Sequence, residues 1–199
     1  MQILQAAVAQ TANPWPLRRE RAVELASRYP HAAEMLRLYQ ALVPVQEAVY
    51  LEFRSTAGRF EDIPDFAVER VLPAIVDATV SSGPTRLRDG AITVFCSADL
   101  KGLVRRWLDQ QPLTPFETYL ARASASPLLE ALSPSPLFVG EGRGGGSNRC
   151  PSCCGLPQLS YFAVSGEALV SGPRYLLCSR CASSWIFSRM TCASPETAK

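Results

Sequence analysis

The sequence predicts a mainly α protein, with an irregular helical N-terminal domain followed by a small β module. Three observations predict it. Apolar residues recur at helical spacing from Leu17 to Leu120, a glycine-rich run interrupts the chain at 140–147, and short aromatic or β-branched pieces framed by paired cysteines follow. Apolar residues make up 47% of the chain, enough for a real core, and charged residues 19%. The formal charge of +2 is too near neutrality to argue for a nucleic-acid or membrane partner.

The helical elements follow in order. Leu17 to Tyr29 comes after Pro14-Trp15-Pro16 and carries Leu17, Ala22, Val23, Leu25 and Ala26 among Arg and Glu; Tyr29-Pro30 stops it. His31 to about Phe53 forms a longer apolar face, with Pro44 expected to kink it. A third helix runs from Pro64 or Asp65 to about Val80, bent at Pro73, and ends in the turn Ser81-Ser82-Gly83-Pro84. Thr85 to Leu108 forms a fourth, which Gly90 and Gly102 weaken and divide. Thr114-Pro115 opens a short fifth segment, with Thr114 and Glu117 spaced as a capping box. Three prolines between Ser126 and Pro136 then loosen the chain. Nothing before position 139 alternates as a strand does.

The domain reading is a helical region over 1–139, a linker over 140–147, a cysteine module over 148–192 and a tail over 193–199. The linker, GEGRGGGS, lacks the G-K-[ST] ending of a phosphate-binding loop and the preceding strand of a dinucleotide fingerprint. Beyond it, Leu159 to Val164, Leu169-Val170, Tyr175 to Leu177 and Trp185 to Phe187 read as small strands. A module of about 45 residues cannot bury a sufficient core by itself and needs a staple.

The cysteines supply it. Cys150-Pro-Ser-Cys153, a spacer of 24 residues, and Cys178-Ser-Arg-Cys181 form two C-x-x-C knuckles. Facing each other, they make a tetrahedral four-sulfur cage of the zinc-ribbon type, with a spacer slightly longer than the usual ~15–20 residues. Sulfur-only sites suit iron or zinc, and a closed cage offers no open position for water. Four thiolates around a divalent ion leave a negative charge that knuckle N–H groups and Arg149, Arg174, Arg180 and Arg189 can offset. The competing readings are four reduced structural cysteines or a redox dithiol pair; two facing pairs without a βαβ pattern argue against a thioredoxin-type site. Cys154 reads as a bystander and Cys96, in an apolar helical run, as a buried small hydrophobe.

No catalytic residue is indicated. His31 is the only histidine, so no serine or cysteine triad can be assembled, and Glu61, Asp62 and Asp65 read as a polar loop with helix N-terminal charges. No run of about 18 apolar residues suggests a membrane span, and the N-terminus lacks a basic region before an apolar one, so a cytoplasmic location is expected.

The run RCPSCCGLPQ followed by GPRYLLCSRCASSWIFSRMTC resembles the formate dehydrogenase accessory protein FdhE family, which carries CPxCGSxP and then RYLxCSxCxxEW before further cysteines. Cys150, Pro151, Cys153, Pro157, Arg174, Tyr175, Leu176, Cys178, Ser179, Cys181, Trp185, Arg189 and Cys192 match. Upstream, the stretch from Glu20 to Val49 is similar to the family's helical pattern ending near a glutamine, here Gln46. The resemblance implies a helical domain followed by rubredoxin-like modules in a cytoplasmic maturation factor. It also implies a formate dehydrogenase catalytic subunit as protein partner, with one metal, iron by family expectation, on Cys150, Cys153, Cys178 and Cys181. Three positions depart from the pattern. Cys154 stands where the family has glycine, with Gly155 one place later; Ser184 replaces the acid before the tryptophan; and Pro195 stands where a third C-x-x-C opened by Cys192 needs a cysteine. The expectation is therefore a shortened homologue carrying the first module only.

Two other readings are open. A nucleic-acid-binding zinc ribbon would use Arg174, Arg180 and Arg189 with Tyr175, Trp185 and Phe187, although six Lys/Arg against three Asp/Glu over 141–199 is only a modest excess, and Trp185 reads better as a core anchor. A rubredoxin-like electron-transfer module would need iron that cycles reversibly.

Overall fold

The computed structural model describes residues 13–133, 147–162 and 172–193, and the backbone of 137 and 138. Positions 140–146 of the expected linker, the strand pieces anticipated at Ala163–Val164 and Leu169–Val170, and the tail beyond Ala193 lie outside the described residues. The chain is mainly helical, with a small antiparallel sheet and a cysteine cluster towards its C-terminus. It divides into two compact units, Asn13–Leu132 and the segment from Ser133 onward.

In the helical unit, α1 (Trp15–Arg28) starts where Asn13 Oδ1 accepts from the Trp15 N–H at 3.0 Å, with Pro16 in the first turn. A short 3-10 turn, Pro30–Ala32, leads into α2 (Ala33–Ser55). The following helical run comprises α3 (Ile63–Phe66), a π-helical stretch Ala67–Val71 and α4 (Leu72–Ser82). Then come α5 (Thr85–Ser97), α6 (Leu100–Leu108) and α7 (Pro115–Leu132). Helix α2 packs against α1, α4 and α7. Its Val43 and Phe53 are buried, as are Ile75 of α4, Leu103 of α6 and Leu120 and Leu128 of α7. Each such side chain contributes about 1.5–3 kcal/mol by leaving water. Arg18 of α1 ties down α7 through two bonds to the Glu130 carboxylate, at 2.9 and 2.7 Å, and lies 4.3 Å over the Trp15 ring.

The prolines that sequence reading takes as breaks are absorbed in three ways. Pro44 sits on the exposed side of α2, where water can reach the carbonyl its missing N–H leaves open. Pro73 follows the π-helical turn Ala67–Val71 directly, so the backbone has already widened where the donor is lost. Pro127 lies buried inside α7, which runs unbroken to Leu132, although three prolines suggest a loosened chain there. Its missing N–H would serve the carbonyl of Ala123, and that carbonyl instead accepts from Gln46 Nε2 at 2.9 Å.

The fourth expected helix does divide, but not at its glycines. The break falls at Ala98–Asp99, where the Asp99 side chain caps α6 by accepting from Gly102 N at 3.0 Å. Gly90 stays helical because the Phe116 ring occupies the place of a side chain: a Cβ there would lie 2.6 Å from it. The Thr114–Glu117 capping box forms as read, with Thr114 N donating to Glu117 Oε2 at 2.9 Å. Cys96 is exposed rather than buried. The inward face of α5 is set by Ala91, and Cys96 points away from it.

In the C-terminal unit, β1 (Leu137–Phe138), β2 (Pro157–Phe162), β3 (Arg174–Cys178) and β4 (Ser184–Ile186) form a sheet in the order β1-β4-β3-β2. Strands β2, β3 and β4 are antiparallel, and β1 joins β4 in parallel, upstream of the glycine-rich run where no alternation marks a strand. Leu176 on the central strand is fully buried, opposite Trp185 and Ser160. Trp185 is an interior anchor, and its indole N–H donates to the Ser147 carbonyl at 3.1 Å. No helix among the described residues is long and apolar enough to cross a membrane.

Replacing Gln46 with Met keeps the volume and removes the donor to the Ala123 carbonyl. Urea unfolding is expected to show a loss of about 1–2 kcal/mol. In a Pro127→Ala background, which restores a backbone N–H at that carbonyl, the same change should cost less than half as much. Equal costs in both backgrounds would show that the bond does not offset the proline.

Candidate metal centre

The knuckles are placed by the sheet. Cys150 and Cys153 precede β2, whereas Cys178 ends β3 and Cys181 lies in the turn to β4. The β2–β3 register sets Pro157 opposite Cys178, and Ser179 N donates to the Leu156 carbonyl at 3.0 Å, so the first knuckle is carried to the second.

The two knuckles repeat one backbone design. In each, the N–H of the first cysteine donates to the carbonyl five residues on: Cys150 to Gly155 at 2.8 Å and Cys178 to Ser183 at 2.9 Å. In each, the residue after the second cysteine has positive φ, 55° at Cys154 and 55° at Ala182. Cys154 thus occupies a left-handed position of the kind that favours glycine. Gly155 answers a different need. A Cβ there would lie 2.8 Å from Arg180 Cδ and 3.0 Å from Cys178 Sγ, so a side chain would push both aside, and glycine leaves the knuckles room to approach.

The four sulfurs of Cys150, Cys153, Cys178 and Cys181 all lie within 4.8 Å of one another. Cys150 and Cys181 are 3.6 Å apart, and Cys153 and Cys178 3.4 Å. A tetrahedral cage with metal–sulfur bonds of about 2.3 Å has its sulfurs about 3.8 Å apart. Cys150, Cys178 and Cys181 are 1% exposed and Cys153 is half-buried. The donor set therefore fits a metal ion held by four thiolates, and these four residues are positioned to hold it. Bound there, the ion would supply a cross-link between the knuckles.

Part of the surrounding charge is offset as the sequence suggests. Arg180 N donates to Cys178 Sγ at 3.3 Å, the Arg149 guanidinium donates to the Cys154 carbonyl at 3.0 Å and that of Arg180 to the Cys153 carbonyl at 3.4 Å. Arg174 and Arg189 serve the other end of β3. Arg174 binds Ser160 Oγ and the carbonyls of Ser188 and Thr191 and covers the Phe187 ring, while Arg189 binds the Gly172 carbonyl and lies over Phe162. Cys154 and Cys192 are exposed, and neither belongs to the four-sulfur group.

The packed thiols share protons unevenly. Hydrogen bonding to Cys150 holds the Cys153 and Cys178 thiols far above the usual range. Hydrogen bonds from Cys153 and then Cys178 lower Cys150 to about 7, and those from Cys150 and Cys153 lower Cys181 further, with Ser183 Oγ also 3.2 Å from its sulfur. Only part of the set carries charge until a cation arrives.

Outside this centre, the carboxylates and histidine have ordinary surroundings. Asp62 accepts from the Arg59 N–H at 2.9 Å, which lowers its pKa, Asp65 pairs with Lys101, and His31 is exposed, edge-on to Tyr29. The contributions that sequence reading missed are backbone ones, namely the carbonyls of Ser147 and Leu156 and the close approach at Gly155; the displaced glycine was the one visible sign. No family model matches this chain, and no curated protein or solved structure matches it.

Two measurements follow from the geometry. Binding a metal requires four thiolates, so Cys153 and Cys178 must each release a proton throughout the neutral range, and Cys150 must as well below about 7. Competition titrations are expected to show affinity rising roughly 100-fold per pH unit above pH 7 and more steeply, up to about 1000-fold, below it; a pH-independent affinity would contradict a thiolate cage. Ala182→Gly and Cys154→Gly relieve left-handed strain and should each raise the stability of the metal-loaded chain by up to about 1 kcal/mol, read as a higher melting temperature. Metal loss in the Cys154 variant would instead make Cys154 a ligand.

Proposed function

We propose that this chain is a non-catalytic accessory factor that binds the catalytic subunit of a formate dehydrogenase and carries one iron or zinc ion on Cys150, Cys153, Cys178 and Cys181. The observation that carries the reading is the cysteine constellation with its flanking matches: two knuckles whose sulfurs converge, embedded in the RYLLC and SSWIF pieces that resemble the accessory family. A four-sulfur site has no place for a bound water, which supports a binding or electron-carrying role over hydrolysis. Burial of Trp185 and Phe187 counts against the nucleic-acid reading, since neither ring is free to stack on a base.

The test is co-purification of the tagged full chain from cells maturing a formate dehydrogenase, with metal analysis and a visible spectrum of the isolated protein. The catalytic subunit should be retained, and a Cys178→Ser variant should lose both metal and subunit. A red protein would assign iron, and a colourless one with one equivalent of zinc would assign zinc. Failure to retain the subunit while metal is present, or a salt-dependent gel shift with nucleic acid in its place, would overturn the proposal.

A further inference from the structure

The pairing of sulfurs across the centre has a consequence for its chemistry with oxidants. Two short sulfur contacts run between the knuckles: Cys153 with Cys178 at 3.4 Å and Cys150 with Cys181 at 3.6 Å. The ligands also differ in access. Cys150, Cys178 and Cys181 are buried, whereas Cys153 is only partly so, the most open of the four residues of the centre. Cys154, next in the chain, is exposed but lies outside the converging group.

We propose that the centre is a peroxide-responsive modification site, in which oxidation replaces closure by metal with closure by two disulfides that cross between the knuckles, Cys153–Cys178 and Cys150–Cys181. The inference rests on the metal-binding part of the reading above. In the first step, Cys153, a thiolate once the ion is bound, attacks one peroxide oxygen. The O–O bond breaks, hydroxide leaves and takes up a proton to become water, and Cys153 becomes a sulfenic acid. The Cys178 thiolate then attacks that sulfur; the S–O bond breaks, a second hydroxide takes up a proton and leaves as water, and the S–S bond forms. Two thiolates have given two electrons to one hydrogen peroxide, with two protons consumed and two waters formed. A second peroxide joins Cys150 to Cys181 by the same balance. The sulfurs spent in these bonds no longer hold the ion, and zinc, which has no redox chemistry of its own, is released unchanged.

Geometry selects the crossed pairs. Each needs its sulfurs to close only to the disulfide length of about 2.05 Å. The bonds then take over the cross-link between the first knuckle and the β3–β4 turn. Bonds within each C-x-x-C would leave that cross-link unmade.

The experiment uses the full chain carrying Cys96→Ser, Cys154→Gly and Cys192→Ser, which leaves four of the seven cysteines. The chain is loaded with zinc so that the ion itself is not oxidised, then treated with hydrogen peroxide. Released zinc is read with a colorimetric chelator, free thiols are counted under denaturing conditions, and disulfides are mapped by non-reducing peptide mass spectrometry. The expected result is loss of all four thiols, release of the bound zinc, a map of 153–178 and 150–181, and recovery of zinc binding after dithiothreitol. Disulfides at 150–153 and 178–181, sulfinic acid at Cys153, or zinc retained with its thiols intact would each overturn it. If zinc never binds, the metal reading fails by itself, and the same map on the metal-free chain still decides the crossed linkage.

Discussion

The C-terminal unit depends on the meeting of two cysteine knuckles at one end of a three-stranded antiparallel core. The β2–β3 register places Pro157 beside Cys178, the Ser179–Leu156 hydrogen bond holds the knuckles together, and Gly155 leaves room for the approach. A lobe of this size has little apolar surface to bury. Leu176, Trp185 and Phe187 form its interior, and the sulfur cluster supplies the rest of the cross-linking. The thiols already converge, with short contacts across the knuckles, rather than lying scattered. Filling the site with a cation therefore continues an arrangement the backbone has already made.

The helical unit meets a different constraint, the disposal of backbone groups that prolines leave without partners. Exposure handles Pro44, a π-helical turn precedes Pro73, and the Gln46 side chain reaches the carbonyl abandoned at Pro127. The last of these ties α2 to α7 by a hydrogen bond that no single-helix argument contains. It also gives Gln46 a physical role in the fold of this chain.

Much of the architecture was legible in local pattern. The capping box at Thr114 and Glu117, the start of α1 at Trp15-Pro16 and the end of α2 after Phe53 are short-range chemistry, and they stand close to where the pattern puts them. The failures share a cause. Gly90 and Pro127 look like breakers when propensity is weighed residue by residue, yet Phe116 packs onto the one and Gln46 compensates the other across the fold. Cys96 looks buried because its neighbours are apolar, but a helix has two sides and only the packing chooses between them.

The metal centre divides in the same way. Which four cysteines form the cluster, and their grouping in two knuckles, were determined by the sequence itself, because the C-x-x-C spacing is a property of a turn and needs no distant contact. Tertiary structure decided how the centre is finished. It set which sulfurs lie nearest each other, which of them solvent reaches, and which arginines stand by the knuckles. It also set why Cys154 can occupy a left-handed position while Gly155 is required one residue later. Those outcomes depend on strand register and close approach, which bring together residues far apart in the chain and leave no mark in local spacing.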